Sequence, residues 1–256
     1  MGRTKEKAPS AVKLAAQTLR AMSMAAEDGA FLGSEDELVA KLAISRPTLR
    51  QAVAQVAQEH LVSIRRGVGG GYFASSPNSM TVARMAAIYL QKDHARLDEV
   101  ISAVAPIRSE IARLATRNID DEARQALEEF LDKERSLSAG DVSYRTFLKS
   151  EREFARLLGA ASKNSVLNLF LGILYDFAAL LGTDEDVYIN RPERVDLYRS
   201  YRNRMAEAIL DGDEELAVIA TRRCSTVVTK WMMEDFPARA NLHIGELDTV
   251  RLGVVS

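Results

Sequence analysis

One cysteine, one tryptophan, three histidines and six prolines are spread over 256 residues. The single thiol, Cys224, has no second cysteine with which to close an internal disulfide or resolve an oxidised form, so a disulfide scaffold is excluded and a small buried hydrophobe is the favoured reading of it over a redox sensor. Long apolar runs are missing too. No apolar segment follows the basic opening MGRTKEK, and none approaches the roughly 20 residues that a membrane helix needs. A cytoplasmic chain without a membrane partner is expected. Enzyme signatures are equally scarce: there is no Ser, His and Asp set, no cluster of metal ligands, and the glycine run at 69–71 lacks the Lys-Ser/Thr and helix of a nucleotide loop.

A strong charge of one sign is also lacking, since the net charge is only −2. Its distribution is uneven. Residues 1–78 carry ten Lys or Arg against seven Asp or Glu, and the remainder 24 against 29. A face that meets polyanions need only be locally positive, and the excess is small enough that a second copy or tight clustering must add to it.

At 256 residues two domains are expected. Residues 1–10 read as a mobile basic arm, and a helix follows from about Ala11 to Ala26, with Leu14, Thr18, Leu19 and Met22 near one face. Ser34 and Glu37 form a capping-box pattern that opens a second helix through about Leu42. Ser45 caps a third, tolerates Pro47 in its first turn, and turns Leu49, Val53 and Val56 to the core. Val62 to Arg65 and Tyr72 to Ala74 are short strands around Gly67, Gly69, Gly70 and Gly71. Helix, helix, helix, glycine-tipped hairpin is the order of a winged helix-turn-helix, spanning 11–76. Ser75 to Ser79 is the one composition break. Beyond it only helical patterns occur, at about 80–91, 95–117, 120–138, 142–159, 164–182, 190–211 and 213–235, with Phe170, Tyr175 and Phe177 read as core. The fold class expected is therefore mainly α, a winged helix-turn-helix followed by an all-α antiparallel bundle over 80–236, with 237–256 an unassigned tail.

A recognition helix presents its first residues to base edges in the major groove. Arg46 and Arg50 can each donate to guanine O6 and N7, while Ser45 and Thr48 suit phosphates. Arg65, Arg66 and Gly69 of the hairpin would follow the adjacent groove or phosphate row. The bland alternative is that these are solvated arginines on an amphipathic helix and a surface turn.

The segments LGSEDEL, SRPTLRQA and HLVSIRRGVGGG resemble the GntR family of bacterial regulators, which typically reads L-P-S-E-x-x-L, then S-R-x-x-[LV]-R-x-A, then a G-L-V-x-x-R-x-G-x-G wing. Gly33 stands where that family usually has Pro, His60 where it has Gly, and Asp36 at a position that is often Arg and can touch DNA; an acidic group there repels phosphate. FARLLGAASKNSVL and AILDGDEELA resemble the FCD effector domain of the FadR branch, a bundle around a small-molecule cavity. Many such domains hold a divalent metal with an Asp and three His. Glu151, Ala155, Arg202 and Cys224 fall at those positions, so the resemblance implies a lost site, with neither metal nor other cofactor bound.

A buried Arg202 must meet a carboxylate or a ligand anion. Glu151 is the obvious partner. One reading gives Arg202, with Arg108 as the other possibility and Tyr198 on the same face, the task of fixing an anionic group of an effector such as a carboxylate or acyl-CoA-like thioester. The other makes Arg202 a structural ion pair or an outward arginine. The resemblance implies a homodimer on a double-stranded DNA operator, a repressor released by a small molecule. The rivals are an effector-independent structural DNA binder and, with less support, an enzyme in the helical half.

Overall fold

The computed structural model describes residues 9–137, 142–180 and 187–235, with backbone alone for 177–180. The arm before residue 9, the expected helix ends near 138 and 182, the Phe177 side chain and the tail after 236 lie outside the described residues. The chain divides into two compact units, residues 1–81 and 82–256.

The first unit contains α1 (Ala11–Met24), β1 (Phe31–Gly33), α2 (Glu35–Leu42), α3 (Arg46–Gln58), β2 (Val62–Arg65) and β3 (Gly71–Ala74). Side-chain caps start each helix: Ser10, Ser34 and Ser45 accept from Lys13, Glu37 and Thr48 backbone N–H groups, and Glu37 completes the capping box on α2. Between α2 and α3 the chain turns through Ala43 at φ 51°. Leu19, Leu38, Leu49, Val53 and Val56 are almost fully buried together, each contributing about 1.5–3 kcal/mol of transfer free energy. The buried stripe of α1 is Ala15, Ala16, Leu19 and Ser23. Leu14 and Thr18 are exposed instead, one position off the expected face, and the Thr18 hydroxyl donates to the Leu14 carbonyl.

The sheet is antiparallel in the order β1-β3-β2. β1 has no counterpart in the sequence reading, because three residues carry no period. Its irregular register against β3 rests on glycines: Gly33 lies at φ 144° and Gly71 at φ 155°, and a Cβ on Gly71 would come within 2.6 Å of the Phe31 ring. Proline, fixed near φ −65°, cannot occupy position 33 in this backbone. His60, in place of the usual glycine, holds the left-handed conformation at φ 58°.

The second unit is helical throughout its described residues: α4 (Ser79–Lys92), α5 (Leu97–Asn118), α6 (Asp121–Arg135), α7 (Tyr144–Ser162), α8 (Ser165–Leu180), α9 (Pro192–Asp211) and α10 (Glu214–Asp235). α5 is the hub, packed against α7, α8, α9 and α10. The core gathers Ile111, Leu127, Phe130, Phe154, Leu158, Met205 and Ile209. Phe170 departs from the core reading: it is 48% exposed, with Val166 and Leu169 beside it, and Tyr175 is partly exposed. α8 is mostly apolar in sequence, SVLNLFLGILYDFAAL, so periodicity separates its packed face from its open one poorly.

Candidate functional site

In the first unit, burial of Leu49, Val53 and Val56 turns the opposite face of α3 outward. Arg46 and Arg50 stand there with side chains 61% and 68% exposed. Neither is free. Arg46 Nη2 donates to Asp36 Oδ1 at 2.6 Å, and Arg50 Nη2 donates to Glu35 Oε1 at 3.0 Å, so the first turn of α2 holds both. The Asp36 bond raises the Arg46 pKa further and keeps it cationic. Ser45 and Thr48 are hydrogen-bonded to one another at 2.8 Å. In the hairpin, Arg66 and Gly69 are exposed, whereas Arg65 lays its guanidinium 4.0 Å from the centre of the Phe73 ring.

In the second unit, side chains from α5, α6, α7 and α9 form one buried hydrogen-bonded chain. Arg108 Nη1 donates to the Tyr198 hydroxyl at 2.9 Å, and that hydroxyl donates to Glu151 Oε2 at 2.5 Å. Arg202, 0% exposed, donates to Glu151 Oε1 at 2.6 Å and to the Glu134 carboxylate, and lies over the Phe130 ring at 5.0 Å. Glu134 also accepts from Ser150 at 2.6 Å and from Arg199 at 2.9 Å. Burial tends to raise the Glu134 carboxyl, but the Ser150 hydrogen bond and the Arg202 and Arg199 charges outweigh it and hold the group below the usual carboxylate range. Burial pushes the Tyr198 phenol well up and the Cys224 thiol up, so both stay protonated at neutral pH. Cys224 is fully buried beside Phe147, Val195 and Tyr198, as a small hydrophobe. Arg108, Glu151, Tyr198, Arg202 and Cys224, named from sequence, thus share one neighbourhood.

Three buried cations meet three carboxylates here. Arg199 and Arg202 share Glu134, Arg199 also has Asp196 at 3.4 Å, and Arg202 also has Glu151. For Arg108 no carboxylate among the described residues lies within ion-pair distance; its hydrogen-bond partner is a neutral phenol.

Residues 16–70 match the family model for bacterial regulatory proteins of the gntR family, and residues 99–226, half of the chain, match the FCD domain model. The chain belongs to the GntR family. It is a DNA-binding transcriptional regulator with an FCD effector-binding domain. A solved structure of Streptococcus agalactiae GntR is similar over 86% of this chain and 99% of that one, at 20% identity and a TM-score of 0.63. E. coli McbR/YncC aligns over 88% of this chain and 99% of that one, at 15% identity and a TM-score of 0.45. No curated protein matches the chain.

Two features of this GntR-family chain escaped the sequence reading. Glu134 and Arg199 were not singled out, although a signal existed: the buried stripe of α6 runs Leu127, Phe130, Leu131, Glu134, and that of α9 runs Val195, Tyr198, Arg199, Arg202. A charged residue at the fourth place of an apolar period marks a buried ion pair. The second is the hold of α2 on the arginines of α3, which joins residues 10 and 15 positions apart. Among the described residues, no group of three His, Cys, Asp or Glu is placed to hold a metal ion, and no helix is long and apolar enough to cross a membrane.

Proposed function

We propose that this regulator is a homodimeric repressor that releases its operator when a small anionic metabolite, a carboxylate or an acyl-CoA-like thioester, binds in the helical unit. The observation that carries the reading is Arg108, a buried guanidinium whose described partner is the Tyr198 hydroxyl rather than a carboxylate. An uncompensated buried cation is costly and an incoming anion relieves that cost, so the site favours ligands of that charge. Tyr198 passes the event on, because its hydroxyl also reaches Glu151 and through it Arg202. Arg202, whose charge is already met by two carboxylates through Nη1 and Nη2, then serves as the brace between α6, α7 and α9 rather than as the ligand's anchor.

In the first unit, Arg46 and Arg50 contact bases or backbone at the major groove, with Ser45, Thr48 and the Arg66 to Gly69 hairpin on phosphates. Supporting the dimer are apolar side chains left open on α4 and α8, Met85 and Tyr89 on one and Val166 and Phe170 on the other. The reading is tested by thermal-shift screening of the full chain against carboxylic acids and acyl-CoA thioesters. The expected result is an anionic ligand that raises Tm and displaces operator DNA, with both effects lost in Arg108→Met. A best ligand that is neutral and indifferent to that change would overturn it.

A further inference from the structure

Ion pairing on the reading helix cancels charge without consuming all of the arginines' donors. Arg46 donates from one nitrogen, Nη2, to Asp36 and holds Nε 3.9 Å from Glu35, and Arg50 turns its Nε and Nη2 edge to Glu35. A guanidinium has five N–H groups, so each keeps donors for a further partner. The four side chains lie on the solvent side of the winged unit, and the two acidic ones project from the first turn of α2, the helix end that would otherwise favour a phosphate. Glu37, the third acid of that turn, is turned away to the Ser34 cap.

We infer that Glu35 and Asp36 are specificity-determining residues: they neutralise Arg46 and Arg50 toward phosphates while leaving them able to donate to base edges. The inference rests on the assignment of Arg46 and Arg50 to DNA. Affinity for arbitrary DNA comes from cations that replace condensed counterions on phosphates, and a neutralised arginine contributes little to it. Guanine O6 and N7 are uncharged acceptors that reward the remaining N–H groups whatever the net charge of the pair. The two carboxylates therefore lower binding to every sequence, and lower it least where bases fit. The small basic excess of residues 1–78 agrees with a head built for selection rather than for general attraction.

The test uses the full chain with fluorescence anisotropy on two duplexes of equal length, one enriched by the wild-type protein from a random pool and one of scrambled sequence, across a salt series. Glu35→Gln with Asp36→Asn is expected to strengthen binding to the scrambled duplex roughly ten-fold and to steepen its salt dependence by about one to two counterions. Binding to the enriched duplex changes less, so the ratio between the two falls. Equal gains on both duplexes, or no gain on either, overturn the inference, and so does a fall in Tm with an unchanged ratio, which assigns the carboxylates to helix stability alone. Arg46→Ala with Arg50→Ala is measured alongside. Unchanged binding by that variant removes the reading-helix assignment itself, whereas a loss there combined with an unchanged ratio above removes only the role of Glu35 and Asp36.

Discussion

Arg202 and Glu134 are the residues on which the helical unit turns. Their side chains are 0% and 2% exposed, and removing one member of such a pair leaves its partner charged and dry. Glu134→Gln, which takes from Arg199 and Arg202 the carboxylate they share and leaves them Asp196 and Glu151, is expected to cost about 3–5 kcal/mol, seen as a lowered midpoint in denaturant; a loss near zero would show that the pair is solvated. The same carboxyl titrates below its unfolded value. The folded state thus binds that proton more weakly, the stabilisation is complete above the unfolded pKa of about 4.3, and it fades as pH falls through the lower folded value. Acid unfolding of the wild type should steepen below about pH 4, with a shallower slope in Glu134→Gln. Arg108→Met is expected to do the opposite in the absence of ligand, holding or raising Tm by removing a buried cation that has no carboxylate among the described residues within ion-pair distance, while abolishing the response to anions. A large drop in Tm would show that Arg108 is structural. From sequence, Arg202 and Glu151 were legible as partners because the resemblance to the FCD domain places both among the positions of one ligand set. The second carboxylate was not, since the pairing joins residues 68 positions apart and helical period places a residue on a face without saying which face it meets.

At the scale of elements, helices were legible to within a few residues because apolar stripes recur along most of the chain and capping serines mark the starts of α1, α2, α3 and α7. What escaped was short or symmetric. β1 is only three residues long, and its pairing is fixed by space around Gly71 rather than by any pattern of its own. Gly71→Ala places a methyl group against the Phe31 ring at a φ of 155°, with an expected cost of about 1–3 kcal/mol. The hairpin should loosen while the helical unit is unaffected, which amide hydrogen exchange of the full chain would show; unchanged protection of β1 and β3 would contradict it. α8 misled in the other way, because a mostly apolar helix signals burial, whereas Phe170 lies on the surface.

Across the whole molecule, charge is divided between the units, with a small positive excess in residues 1–78 and a negative excess in the remainder, and open aromatic and aliphatic side chains stand on α4 and α8. In the proposed dimer a second copy adds to the small excess charge of one head, and two copies impose two-fold symmetry on the operator. Sedimentation of the full chain should give a dimer, and Phe170→Asp a monomer with much weaker operator affinity; a dimer of unchanged stability in that variant would place the interface elsewhere. The central claim, that α3 reads sequence, is tested most directly by the affinity of Arg46→Ala for the enriched and scrambled duplexes at one fixed salt concentration. The account predicts a loss of about 1–3 kcal/mol on the enriched duplex, a much smaller change on the scrambled one, and an unaltered Tm; equal affinities of variant and wild type for the enriched duplex would contradict it.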